Sequence, residues 1–123
     1  MGLRILIVDD ALFMRNMLRD ILSRAGHQVV GEASNGVEAI ERYQELCPDL
    51  VTMDIVMPLK SGIEALQEIT ARDPGARVVM CSALGQDSLV IEAVQSGAKD
   101  FIVKPFKEER VLDVVRRVGA LAG

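Results

Sequence analysis

The sequence is poor in the residues that build most metal and redox centres. It has one histidine, His27, and two cysteines, Cys47 and Cys81, which lie far apart and form no C-x-x-C pair. Neither a zinc site of the usual Cys/His kind nor a dithiol redox motif is therefore suggested, and two reduced, buried thiols are expected. Tryptophan is absent and aromatics make up 3% of the chain, so the core must be packed from aliphatic side chains. Positive charge is also in deficit, with 14 Lys and Arg against 18 Asp and Glu, a net charge of -4 and a pI near 5.0. Gripping a phosphate backbone needs an excess of cations on one face, so nucleic acid is not an expected partner. Long apolar runs are missing too. Ile5 to Val8 gives way at once to Asp9 and Asp10, too soon for a signal-peptide core or a bilayer span. Leu6 stands where an N-myristoylation pattern needs Ser or Thr. A cytoplasmic protein with no membrane contact is expected.

What is present is a globular composition, 50% hydrophobic and 26% charged over 123 residues. That is the length of one domain, and residues 1–123 are expected to form a single one. Short apolar runs alternate with amphipathic stretches five times: Leu3 to Val8, Gln28 to Gly31, Leu50 to Met53, Arg77 to Met80 and Phe101 to Val103. The runs are mostly continuous rather than alternating, as in strands covered on both faces, so the pattern predicts an α/β fold with a parallel sheet. Between them, Met14, Met17, Leu18, Ile21 and Leu22 fall at helical spacing, with Gly26 placed to end that helix. Val37, Ile40, Tyr43 and Cys47 mark a second helix, and Ile63, Leu66 and Ile69 a third with Ser61 as its N-cap. Leu89, Val90, Ala93 and Val94 mark a fourth, Val111, Val114, Val115 and Val118 a fifth. Ile91 widens the apolar face of the fourth helix, which either packs deeply or keeps a flank for a partner.

The polar residues gather where the strands end. Asp9 and Asp10 close the first run, Asp54 closes the third, Ser82 follows the fourth, and Lys104 with Pro105 follows the fifth. In an open parallel sheet those ends lie along one edge, where ligands bind. Three carboxylates brought together repel one another unless one takes up a proton or a cation sits among them. With no His or Cys close by, a hard, oxygen-seeking ion of the Mg²⁺ type suits the cluster, and its open positions can take phosphoryl oxygens. Each residue alone has a plainer explanation, since paired aspartates often cap a helix and a Lys-Pro or lone Ser often marks a turn. Their joint placement at the strand ends favours a site. His27 is expected to be an exposed loop residue, and Met14, Met17, Met53 and Met80 core filler. Met57 lies beside the crevice and can be either.

These residues resemble the receiver domain of bacterial two-component response regulators over essentially the whole chain. The resemblance is carried by Ile5 to Asp10, by Met53 to Pro58 with Gly62, by Ser82-Ala83 and by Lys104-Pro105-Phe106, in order and at suitable separations. The stand-alone chemotaxis regulators of that family are the most similar, notably in Asp9 through Arg15, in Cys81-Ser82-Ala83 and in Ala98 through Phe106. The resemblance implies a flavodoxin-like (βα)5 doubly wound sheet of strand order 2-1-3-4-5 and a cis bond before Pro105. It also implies Asp54 as phosphoacceptor, Asp10 as a direct Mg²⁺ ligand, Asp9 as a ligand through water and the Val56 carbonyl as another ligand. Ser82 and Lys104 would contact the phosphoryl group, Phe101 with Ser82 would act as the switch, and Val90 with Phe101 would face the partner.

A histidine kinase of the chemotaxis type would be the phosphodonor and a flagellar motor switch protein the target, the alternative being a non-chemotaxis single-domain receiver in a phosphorelay or one that binds another target, with a dedicated phosphatase as a further partner. A monomer is expected. Three departures stand out: Ser82 replaces the more frequent Thr, Phe101 has no phenolic hydroxyl, and Val56 and Leu84 are apolar where polar groups are frequent. Two apolar side chains would orient an attacking water poorly, so slow self-hydrolysis is expected. Among rivals, a dinucleotide-binding enzyme should show G-x-G-x-x-G after the first strand, where Asp9-Asp10 stands. An aspartyl-phosphate hydrolase of small phosphoesters needs a cap or substrate pocket, for which the chain has little length. No separate substrate turnover is expected.

Overall fold

The computed structural model describes residues 2–121. Strands and helices alternate: β1 (Arg4–Val8), α1 (Leu12–Arg24), β2 (Gln28–Ala33), α2 (Gly36–Leu46), β3 (Leu50–Asp54), α3 (Gly62–Arg72), β4 (Val78–Ser82), α4 (Asp87–Gln95), β5 (Asp100–Val103) and α5 (Glu108–Gly119). The strands form one parallel sheet in the order β2-β1-β3-β4-β5. This is the doubly wound order expected above.

Alternation along each strand divides the core into two layers. Leu6, Val8, Val51, Met53, Val78 and Met80 face one side and pack with Ala39, Leu66, Ile69 and Ala93 from α2, α3 and α4. Ile5, Ile7, Leu50, Val79, Cys81 and Ile102 face the other and pack with residues of α1 and α5, including Leu18, Leu22, Val111 and Val115. Because both faces are covered, the three central strands β1, β3 and β4 read as apolar runs in the sequence.

Local chemistry sets the helix ends. Ser61 and Glu64 form a capping box at the start of α3, each side chain accepting the other residue's backbone N–H. Asn35 caps α2 by accepting the Glu38 N–H at 2.9 Å. Gly26 follows α1 at φ +91°, the left-handed turn that a side chain opposes. Gly62 has a different reason: a Cβ there would stand 2.0 Å from the Asp54 carbonyl oxygen, so only glycine lets α3 start against the end of β3.

The structure departs from the sequence reading in several places. Cys81 is buried, but Cys47 is exposed, because it ends α2 in the left-handed conformation at φ 45° instead of continuing the apolar stripe. His27 is half-buried, and its Nδ1 accepts the Leu3 N–H at 3.0 Å. Val37 is exposed, α2 burying Gly36 and Ala39 instead. Met53 and Met80 are fully buried and Met57 joins the core, whereas Met14 and Met17 are only half-buried. Strands β2 and β4 extend two residues past the apolar runs, to Ala33 and Ser82. No helix among the described residues is long and apolar enough to cross a membrane.

Candidate functional site

Sheet register brings the strand ends together. Val8 pairs with Met53 and Asp54 with Cys81, so Asp9 and Asp10 emerge beside Asp54, and Asp54 beside Ser82. The Lys104 N–H donates to the Ser82 carbonyl at 2.7 Å, which holds the end of β5 against the end of β4. Each of Asp9, Asp10 and Asp54 offers a carboxylate oxygen within 4.8 Å of the others. The Lys104 ammonium lies 3.0 Å from Asp9 Oδ2 and 3.3 Å from Asp54 Oδ1. Ser82 is almost fully buried next to them. All five residues therefore share one edge, and the bond before Pro105 is cis.

Helix capping does not account for the aspartates. The N-cap of α1 is Ala11, with no side-chain cap bond, and Asp9 Oδ1 accepts the Ala11 N–H at 2.9 Å in a local turn. Asp9 is 1% exposed and Asp54 7%, while Asp10 reaches solvent, so the cluster is open on one side. Burial first, then the Asp9 charge, push the Asp54 carboxyl up from 3.8 to about 6, against the pull of Lys104. For Lys104 burial opposes the charge, but the bond to Asp9 and the Asp54 carboxylate outweigh it and the ammonium titrates above its ordinary value. Among the described residues the Lys104 ammonium pairs with Asp9 and Asp54 while Asp10 has no cation partner, which leaves net negative charge in a half-buried pocket. An all-oxygen donor set of that charge fits a hard divalent cation.

The other expected positions flank this cluster. Val56, just beyond Asp54, is exposed, as is Leu84 just beyond Ser82. Leu84, Val90, Ile91, Val94, Phe101 and Val103 line an open apolar groove between α4 and β5 that begins at Ser82. Val90 and Phe101 are half-buried there, packed against the core on one side. Of the two options left open for α4, the structure takes the second: Ala93 alone is buried, and Ile91 and Val94 face out.

Sequence reasoning assigned no role to Arg15 and Gln86, which touch the site, or to Glu32, which holds Arg15. Arg15 Nη1 donates to the Asp9 carbonyl at 2.6 Å, and Arg15 Nε to Glu32 Oε1 at 2.8 Å, tying the first acidic residue to β2. Partial burial works against the Glu32 charge, but hydrogen bonds from Arg19 and Arg15 prevail and hold its carboxyl below the ordinary value. Gln86 Oε1 accepts the Ala83 N–H at 2.8 Å. Arg15 was visible as a cation six residues beyond Asp9, but nothing in the spacing pairs it with Glu32, and Gln86 carries no sequence signal of its own.

With this geometry in view, the chain compares closely with known proteins. The model of the response regulator receiver domain matches residues 5–116. Chemotaxis protein CheY of Thermotoga maritima is 58% identical over 96% of this chain and 98% of its own length. Chemotaxis protein CheY of Bacillus subtilis is 60% identical over 95% and 98%. Among solved structures, the CheX-CheY-BeF3-Mg+2 complex from Borrelia burgdorferi superposes with a TM-score of 0.91 at 40% identity, covering 96% of this chain and 90% of that one. An acidic triad at the sheet edge, the 2-1-3-4-5 order and a family match spanning nearly all the described residues agree: the chain belongs to the response regulator receiver domain family.

Proposed function

We propose that residues 1–123 act as one receiver domain, a two-component switch that takes a phosphoryl group from a sensor-kinase phosphohistidine onto Asp54. The observation that carries this reading is the convergence of Asp9, Asp10 and Asp54, with the Lys104 ammonium reaching Asp9 and Asp54. An Asp54 oxygen attacks phosphorus, the P–N bond breaks, and its electron pair leaves with the imidazole. Asp54, Asp10, Asp9 (through water) and the Val56 carbonyl would hold Mg²⁺, whose charge offsets that of the phosphoryl oxygens. Lys104 is already within ion-pair reach of Asp54 and would follow the new oxygens, and the Ser82 hydroxyl would donate to one of them. Charge-assisted bonds of this kind contribute ~1.5–3 kcal/mol each. Two of them approach the ~5.5 kcal/mol that carries a two-state equilibrium from 1:99 to 99:1.

Drawing Ser82 toward the phosphoryl group would shift the loop from Ala83 to Gln86 and let Phe101 turn inward, altering the groove against α4. Val90 and Phe101 are the residues that would face the target. Similarity to the CheY proteins supports a chemotaxis role, for which a flagellar motor switch protein is the proposed target, and the CheX-CheY complex supports a further protein partner, for which a phosphatase is proposed. The same relatives support a signalling receiver without substrate turnover.

Acetyl phosphate with Mg²⁺ should add one phosphoryl mass to the wild type and none to Asp54→Asn. An unchanged wild-type mass refutes the reading. For the output, Phe101→Ala should phosphorylate normally yet bind purified motor switch protein more weakly in the beryllofluoride-loaded form; undiminished binding removes Phe101 from the interface.

A further inference from the structure

Two hydrogen bonds fix how the chain leaves β4. The Cys81 carbonyl turns toward β3 and accepts the Ile55 N–H at 3.3 Å, and the Ser82 carbonyl turns toward β5 and accepts the Lys104 N–H at 2.7 Å. In a trans peptide the C=O and the following N–H point to opposite sides. The Ala83 N–H therefore turns back toward β3, the side on which Asp54 ends its strand. A backbone donor at that point is what an anion held on Asp54 would use.

In this structure the donor is already engaged. Gln86 Oε1 accepts it at 2.8 Å across the turn from Ala83 to Gln86, with Gly85 at φ +88°. Gln86 stands at the N-cap of α4, yet its side chain makes no cap bond to the helix and folds back onto Ala83 instead. The Gln86 carboxamide therefore covers one N–H at the end of β4 and leaves the first turn of α4 without a side-chain cap.

We propose that Gln86 sets the anion affinity of the pocket: a tetrahedral anion on Asp54 gains the Ala83 N–H only when the Gln86 carboxamide swings away. The inference rests on Asp54 being the phosphoacceptor. One neutral hydrogen bond must be broken for each anion bound, and its net value corresponds to roughly a two- to tenfold loss of affinity. Gln86 thus acts as a positioning residue on the donor and touches none of the reacting atoms.

The test is calorimetric titration of the full chain with beryllofluoride in the presence of Mg²⁺, combined with ¹⁵N-¹H spectra of the Ala83 amide. Gln86→Met keeps the side-chain length but removes the acceptor, and it should bind two- to tenfold more tightly than wild type. Its free-state Ala83 resonance should move upfield and exchange faster with solvent, while the loaded states of variant and wild type converge. Gln86→Glu keeps an acceptor and adds negative charge, so it should bind more weakly than wild type; Gln86→Ala repeats the Met experiment should that variant fold poorly. Normal wild-type binding with Met and Ala variants no tighter, or a free-state Ala83 resonance unmoved by either, overturns the role of Gln86 alone. A wild type that takes up no beryllofluoride overturns the phosphoacceptor reading and this inference with it.

Discussion

Replacing Asp54 by Asn should stabilise the metal-free protein, because the carboxylate is held where its charge is unwelcome. Burial and the Asp9 charge raise its pKa from 3.8 to about 6. The linkage runs in one direction: the folded state holds the proton more tightly than the unfolded chain does. The stability contributed by the protonated acid is complete below pH 3.8 and lost as pH rises through about 6. At 1.36 kcal/mol per pH unit, the ionised form at pH 7.5 costs about 3 kcal/mol. Asparagine resembles the protonated acid in shape and charge, so the variant escapes that cost while Lys104 keeps its partner Asp9 at 3.0 Å. For a domain of this size the gain corresponds to roughly 10 °C in Tm. The chain has no tryptophan, so the assay is urea unfolding followed by far-UV circular dichroism in EDTA, for both proteins, from pH 4 to 8. The two curves should nearly coincide at pH 4, diverge up to about pH 6.5 and run parallel above it. Added Mg²⁺ should narrow the gap, since a cation relieves the same repulsion in wild type and finds one charge fewer in the variant. An Asn variant no more stable than wild type at pH 7.5 in EDTA, or a gap independent of pH, would refute the electrostatic account.

Other expectations are as direct. One thiol equivalent, that of Cys47, should react with a maleimide in the folded protein and two in denaturant, since Cys81 is buried and burial pushes its thiol up to about 12. Two fast equivalents under native conditions would contradict that burial. Gly62→Ala should lower stability by about 1–3 kcal/mol and slow acetyl phosphate labelling of Asp54, because its methyl would meet the Asp54 carbonyl oxygen at 2.0 Å; an unchanged urea midpoint would show that α3 can retreat freely. Isolated phosphorylated protein should lose its phosphate slowly, and Val56→Asn or Leu84→Glu should speed the loss by offering an attacking water a polar partner; decay of the wild type within seconds defeats this reading.

The site was legible because its residues stand where hydrophobic runs stop. An Asp that closes an apolar strand has nowhere to go but the sheet edge, so Asp9, Asp10 and Asp54 could be placed together from chain order alone, and Ser82 and Lys104 with them. What stayed hidden depends on side-chain reach rather than on periodicity. Arg15 meets Glu32 across 17 positions of chain, on a helix and a strand whose approach angle no pattern specifies. Gln86 sits in an irregular turn, where its partner is chosen by backbone direction. Cys47 was misjudged because it falls on the helical stripe of α2, yet the helix ends there in a left-handed residue that turns the thiol outward. The α4 face was ambiguous for a related reason: an apolar surface in the sequence does not say whether anything covers it.

That uncovered face bears on where a signal can travel. Helix α5 buries Val111, Val114, Val115 and Val118, whereas α4 buries only Ala93 among its nine residues. With only Leu89 and Val90 half-buried against the core besides Ala93, α4 can shift at smaller cost than α5, and it is joined to Ser82 through the four-residue loop from Ala83 to Gln86. A local change at Asp54 therefore meets its weakest resistance on the α4 side of the sheet and its strongest on the α5 side. Native-state hydrogen exchange should reveal the difference before any ligand is added. Amides of α4 should open through local fluctuations with little dependence on denaturant, and those of α5 only through near-global unfolding. If α4 exchanges in step with α5, the helix is held as firmly as α5, and the loop from Ala83 to Gln86 cannot be the soft link between Asp54 and the groove.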